Sequence, residues 1–340
     1  MKTKLVLLPL RTSRIDRITL GVKSGGPGGV TAGPHMFRIF LAALTASLLT
    51  PLVASAADRT RIGYGRLITN DFLGDLEDRE RTGAVASSRV WGSPWIGDLP
   101  DRFGDLIELR LGMEVLAPEN IVNPGAGSRP WAGVLSAGLH THYQYKSMEL
   151  AMGAAVYATG PQTGLGSLQR EFHDLVGDRP PSDQTLNAQI ANGFHPTMIV
   201  EAARSYPIGT KTTLRPFVEG QAGIETMVRA GVDFTFGSIG RGGLLVRDST
   251  SGHRYRVIPN AENTGFSFVV GADMAYVTDS TYLPEDRGLD LTDHRDRVRL
   301  GVHWQGDGAS AFYGVTWLGK EYETQPEDQV VGAVRVNFSF

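Results

Sequence analysis

Residues 294–305, HRDRVRLGVHWQ, and 309–321, ASAFYGVTWLGKE, stand on either side of the short turn Gly306-Asp307-Gly308. Successive side chains of an extended chain point to opposite faces. In the first segment Val298, Leu300, Val302 and Trp304 therefore share one face, and Arg297, Arg299, Gly301 and His303 the other. In the second, Phe312, Gly314, Thr316 and Leu318 alternate with Tyr313, Val315 and Trp317. Strands of soluble sandwiches run to about 5–6 residues, whereas a tilted strand that crosses a bilayer needs roughly 9–11. Both segments have the longer dimension.

The same pattern, bounded by turn residues, recurs twelve times: near 59–70, 82–92, 104–116, 131–145, 147–159, 189–205, 211–223, 225–237, 264–279, 294–305, 309–321 and 329–340. An even count suits a barrel whose ladder closes on itself, because in lipid every backbone amide must find an internal partner. The fold class expected is all-β, a closed antiparallel transmembrane β-barrel of about 12 strands. The last strand, QVVGAVRVNFSF, ends on Phe340, resembling the terminal aromatic address of bacterial outer-membrane barrels.

Residues 36–57, MFRIFLAALTASLLTPLVASAA, have the basic start, apolar run and Ala-Ser-Ala cleavage site of a secretory signal peptide. Thr45, Ser47, Thr50 and Pro51 interrupt a run already short for a spanning helix. Residues 1–35 precede this signal as an upstream extension, so translation is expected to start at Met36, and 58–340 form the barrel domain. Without residues 1–57 the chain has 26 basic against 35 acidic side chains, a formal −9. That balance argues against nucleic acid as a partner and favours divalent cations. The chain has no cysteine, which rules out disulfides and thiolate metal sites. A monomer among outer-membrane lipids is expected.

If the N terminus starts in the periplasm, the loops at 71–81, 117–130 and 160–188 all lie at the extracellular rim. The connections at Tyr145 to Ser147, Tyr206 to Lys211 and Gly306 to Gly308 are then short periplasmic turns. The longer connection at 238–263 adds a small periplasmic hairpin through Arg254 to Ile258. Within the third loop, GSLQREFHDLVG (166–177) reads as a short helix, with Ser167 as N-cap, Glu171 in the first turn and Gly177 as left-handed C-cap. Leu168, Phe172, Leu175 and Val176 make its apolar stripe, expected to pack on the barrel wall or on acyl chains, while Gln169 and His173 are neighbours one turn apart.

Loop parity gathers Asn70, Asp71, Asp78, Arg79 and Thr82 of the first loop, Arg129 of the second, and Gln169 and His173 of the third at one rim. Carboxylate, carboxamide and hydroxyl oxygens are hard donors suited to Ca²⁺, and an imidazole can take a proton from water at neutral pH. A cation beside a base suits ester hydrolysis. Each residue also has an ordinary reading: Asn70 and Asp71 favour turns, Thr82 can simply open a strand, and His173 can be a solvated loop histidine. There is no G-x-S-x-G elbow, which leaves Ser167 as the serine to weigh as a nucleophile.

At these residues the chain resembles the outer-membrane lipid A 3′-O-deacylases. The resemblance rests on the Asn-Asp pair ending the first strand (70–71), DRERTG (78–83), SRPWAG (128–133) and GPQTGLGSLQREFHDLVG (160–177). It implies a twelve-stranded barrel that uses Ca²⁺ to hydrolyse the ester-linked 3′ acyl chain of lipid A in lipopolysaccharide. It further implies that Asn70, Asp71 and Thr82 build the cation site, that His173 is the base, and that Gln169 assists. Two departures stand out. Ser128 and Trp131 replace Asp and Tyr of the family's D-R-P-Y-A-G element, and APENIVNPGAGS (117–128) lacks the basic residue some members carry there. Arg129 is left as the nearest substrate-binding substitute. The rival readings are an outer-membrane phospholipase and a non-catalytic barrel, either pore or structural.

Overall fold

The computed structural model describes residues 59–177, 179–260 and 264–338. The upstream extension, the signal peptide and the terminal Phe340 lie outside these residues. In chain order the strands are β1 (Thr60–Asn70), β2 (Glu80–Gly92), β3 (Ile107–Ala117), β4 (Ala132–Tyr145), β5 (Met148–Thr159), β6 (Gly193–Ala203), β7 (Tyr206–Ile208), β8 (Thr212–Ala222), β9 (Glu225–Phe236), β10 (Leu244–Arg247), β11 (Arg254–Ile258), β12 (Gly265–Ser280), β13 (Arg295–Gln305), β14 (Ala309–Leu318) and β15 (Gln329–Phe338).

Twelve of them close an antiparallel barrel. Neighbours in sequence pair along the wall, β1 joins β15 through Ile68 opposite Val334, and β6 joins β8 through Met198 opposite Ala222. No wall strand is left with a free edge, as the membrane requires. The three-residue β7 adds only a short pairing to β8. No helix among the described residues is long and apolar enough to cross a membrane.

The segment at 294–305 shows how the sequence selects this wall. Arg295, Arg297, Arg299 and His303 are buried, whereas Val298, Leu300 and Trp304 face outward. Apolar side chains cover the outside and charges line the inside, the reverse of a soluble sandwich. Phe236, Phe266, Phe268, Trp304 and Phe338 sit exposed near the strand ends of one rim, where aromatic rings favour the boundary between lipid and water.

The hairpin expected at 238–263 exists as β10 and β11, but it does not hang outside the barrel. It folds into the lumen against β1. Tyr255 and Val257 are fully buried, and Tyr255 Oη lies 2.6 Å from Ser88 Oγ on β2. Arg247 of β10 donates to Glu201 of β6 at 2.6 Å and to Asp233 of β9 at 2.9 Å. The physical reason lies in the hairpin's composition: LLVR and RYRVI carry both apolar bulk and arginines, and the lumen offers carboxylates. Gly63 and Gly65 make room for it, since a Cβ there would stand 2.5 Å from Val257 O and 2.6 Å from Arg256 O.

A side chain at Gly65 should therefore displace the hairpin. We expect Gly65→Val to lower the unfolding midpoint by an amount equivalent to about 1–3 kcal/mol. Planar-bilayer recordings should show open-channel events that the parent barrel lacks.

Candidate active site on one rim

The connections after β1, β3 and β5 meet at one rim. β1 ends in a 3-10 turn, Asp71–Leu73, capped by Asn70, whose Oδ1 accepts from Phe72 N at 3.0 Å. The Asn70 Nδ2 donates to Thr82 O at 2.6 Å. Asp71 is 1% exposed, and its two oxygens accept from Phe72 N at 2.8 Å and Arg79 N at 2.9 Å. Thr82 Oγ1 donates to Asp78 Oδ1. The first loop thus folds back on itself so that Asn70, Asp71, Asp78 and Thr82 form one knot of oxygen atoms.

Burial pushes the Asp71 carboxyl up to about 8, and the neighbouring Asp78 charge adds to the rise, against the lowering effect of the two backbone amides. Among the described residues no arginine or lysine pairs with it; its hydrogen bonds come from backbone amides.

The third loop supplies the histidine. Its helix runs Leu165–Val176 and ends on Gly177 in the left-handed conformation, as expected. The start differs: Gly164 is the N-cap without a side-chain bond, Ser167 is exposed within the helix, and Glu171 lies beyond the first turn. Turn Pro161–Thr163 immediately before it sets this earlier start. A second short helix, Asp183–Asn187, escaped the sequence reading, although Ser182 caps it by accepting from Thr185 N at 3.2 Å. Its sign in the sequence was the Pro-Pro-Ser-Asp run before it.

The apolar stripe does not touch the barrel wall. Leu168, Phe172 and Leu175 are exposed, while Leu165 packs with Ala117, Ile121 and Trp131. Gly166 brings the helix against Leu186 and Trp131, where a Cβ would lie 3.2 Å and 3.7 Å away. The face that points inward is Leu165, Gln169 and His173, spaced four apart. Trp131 Nε1 donates to Gln169 Oε1 at 2.8 Å. Trp131 thus fixes the helix from β4.

His173 is 6% exposed. Its Nδ1 lies 2.8 Å from the Arg179 carbonyl oxygen, which can only accept, so Nδ1 carries a proton and the ring faces the first loop through Nε2. Nε2 stands 3.1 Å from Asp78 Oδ2, a buried oxygen with no hydrogen-bond donor aligned on it. This contact joins the first and third loops. The sequence reading placed Asp78 at the rim without giving it a role, yet its spacing of four before Thr82 was visible there. The partner carbonyl of Arg179 had no sequence signal.

Arg129 is not brought to this cluster. It is 1% exposed and donates to Glu80 at 3.1 Å and Glu321 at 3.2 Å. Glu80 opens β2 and Glu321 lies in the connection between β14 and β15, and the two carboxylates occupy the guanidinium.

A cleft of about 590 Å³ opens beside the cluster, with Asp78 and Arg179 in its wall and Glu119 and Asn120 of the second loop across from them. Among the described residues no three carboxylates, histidines or cysteines converge as a closed metal cage. Two carboxylates, a carboxamide and a hydroxyl do converge, and Asp78 Oδ2 is left without a bond. Such a set fits a hard cation that takes its remaining ligands from water and substrate.

The family model for the outer membrane protein LpxR matches residues 39–340. The chain belongs to the LpxR family of outer-membrane proteins. Among solved structures it is similar to LpxR from Salmonella typhimurium, with a TM-score of 0.65 and 16% identity over 82% of this chain and 100% of that one. That likeness bears out the barrel fold. The KdgM and NanC porins match over 82% of this chain at TM-scores of 0.36 and 0.38 and identities of 6% and 7%, covering 98% and 100% of theirs, and carry no weight beyond that. No curated protein sequence matches.

In a chelating buffer Asp71 should weaken the folded state as pH rises. Its folded-state pKa lies above the ordinary carboxyl value, so the stability it allows is complete below about pH 4 and lost as pH climbs through about 8. We expect the parent barrel's unfolding midpoint to fall over that window relative to Asp71→Asn, read by heat-modified gel mobility.

Proposed function

We propose that this protein hydrolyses the ester-linked 3′ acyl chain of lipid A in the outer leaflet, with the loop cluster facing the cell exterior and Ca²⁺ as its cation. The observation that carries the reading is the contact between His173 Nε2 and Asp78, which places a base with a fixed tautomer against the Asn70–Asp71–Thr82 knot. Family membership supports the substrate class.

His173 Nε2 accepts a proton from water at the cleft, and the Arg179 carbonyl steadies the imidazolium that forms through its Nδ1–H. Asp78, at 3.1 Å, stabilises that positive charge. Asn70, Asp71 and Thr82 would hold Ca²⁺, which when bound would polarise the ester carbonyl and stabilise the oxyanion. Gln169, held by Trp131, keeps the inward helix face and so His173 against Asp78, which lines the cleft. The exposed Leu168, Phe172 and Leu175 give the helix an apolar outer face suited to acyl chains or lipid. The lumen is filled by the β10–β11 hairpin, and its recesses are only about 40–60 Å³, which disfavours a pore. The chain works as a monomer in this reading, since all its site residues come from one barrel.

Mass spectrometry of lipid A from cells with and without the protein tests the proposal. We expect loss of one ester-linked acyl chain with the wild type, and at least a 10³-fold slower reaction for His173→Ala, on the order of the contribution of a general base. Lost activity toward lipid A with cleaved glycerophospholipid would indicate a phospholipase instead. Chelation should abolish the reaction and added Ca²⁺ restore it, whereas undiminished turnover in chelator would remove the cation from the mechanism. Trp131→Phe, which deletes the bond to Gln169 together with part of the packing against Leu165, should slow turnover by about tenfold or more, beyond the scale of a single hydrogen bond.

A further inference from the structure

The outer face of the wall carries its cations on one hairpin. Arg61 and Arg66 on β1 are exposed and Arg89 on β2 is half-buried. Gly65, Leu67, Ser88 and Val90, the chain neighbours of Arg66 and Arg89, are buried toward the lumen, which turns the two arginines toward lipid. Arginines of the other wall strands point inward, as Arg110 does to Glu108 and Arg299 to Asp273. The side chains of Arg61, Arg66 and Arg89 make no hydrogen bond or ion pair among the described residues.

Two of these cations converge on one ring. Tyr64 lies across from Arg89 in the β1–β2 register, and the guanidinium carbons of Arg66 and Arg89 each stand 5.9 Å from its centroid. A ring face attracts a cation, yet two cations gathered at one ring repel each other. Arg66 also stands near the middle of the 11-residue β1, and a charge on the lipid face is more costly the deeper it lies in the apolar belt. The pair therefore calls for a counter-charge from outside the protein. A second barrel does not offer one on its wall: the outward carboxylates of the wall strands, Asp279 and Asp296, stand at the strand ends on the rim of the candidate site. Tyr64 and Arg89 lie toward the opposite mouth, where β1 begins and β2 ends.

We propose that Arg66 and Arg89, with Tyr64 between them and Arg61 beside them, form a docking site for the phosphodiester headgroup of an anionic phospholipid. A guanidinium presents paired N–H donors that match phosphate oxygens, and a tyrosine ring suits the level of the headgroups. The acyl chains then run along exposed Ile68 and Leu111. In the orientation proposed above, the lipid belongs to the periplasmic leaflet. Only the leaflet rests on that reading; the site uses no rim residue, so its failure and that of the deacylase reading are separate results.

Native mass spectrometry of the full barrel, released from micelles containing dioleoyl phosphatidylglycerol, dioleoyl phosphatidylcholine or lipid A, tests this. We expect the wild type to retain phosphatidylglycerol over phosphatidylcholine, and Arg66→Gln combined with Arg89→Gln to retain it about tenfold less, the scale of a lost charge-assisted contact. Arg66→Lys keeps the charge without the fork and should fall between the two. Arg102→Gln, in the exposed connection after β2, should match the wild type. In vesicles, phosphatidylglycerol in place of phosphatidylcholine should raise the unfolding midpoint of the wild type alone. In phosphatidylcholine the double variant should be at least as stable as the wild type, because the unpaired charges are gone; arginines with a merely structural role would give the opposite. Equal retention of the two phospholipids overturns the proposal, as does equal retention by the wild type and the double variant. So does lipid A retention that depends on the two arginines, or a second barrel retained in place of the lipid.

Discussion

The structure depends on pairing charge inside a wall whose outside must be apolar. A strand that crosses lipid gives every second side chain to the lumen, and in this chain those positions are arginine, aspartate, glutamate and histidine. Charges in a narrow interior are tolerated only with partners. Asp273 meets Arg229, Arg297 and Arg299 from strands β9 and β13, while Asp233 and Glu201 reach across to Arg247 on the hairpin. The network ties the wall to its plug. It makes the lumen a polar core instead of a channel.

A rigid barrel of this kind can afford a site built from loops. Asp71 and Thr82 belong to the ends of β1 and β2, whose ten paired positions fix the width of the first loop. The helix is less firmly held. It rests on Leu165, Gly166 and the Trp131–Gln169 bond, and its largest apolar side chains face away from the protein. A helix of this length has marginal stability by itself. Its anchoring to Trp131 beside β4 and the His173–Asp78 contact therefore hold the imidazole in place, while its apolar stripe stays exposed. Arg129 stands apart from that contact, its buried guanidinium paired with Glu80 and Glu321.

Several of these features were legible in the sequence for a definite reason. The twelve strands were readable because long period-two alternation is forced by lipid on one side and a charged lumen on the other; the segment at 294–305 announces both faces. The Gly177 cap was readable because a left-handed residue after a helix is a backbone requirement. The sequence left a choice open where an apolar pattern carries no direction. Leu168, Phe172 and Leu175 form a true stripe, but periodicity does not say whether a stripe seeks the protein or the membrane. The hairpin at 244–258 was visible as a hairpin, yet its insertion depends on Gly63 and Gly65 two hundred residues away in sequence.

The sequence by itself determined the barrel, its strand count and the rim on which Asn70, Asp71, Thr82, Gln169 and His173 gather, because alternation and loop parity are local properties of the chain. Only the tertiary structure decided that Asp78 faces His173, that the Arg179 carbonyl fixes the ring's proton, that Arg129 turns inward, and that the lumen is closed. Those are contacts between segments tens to hundreds of residues apart, set by strand register and by which carboxylate lies across from which cation, and no local pattern encodes them.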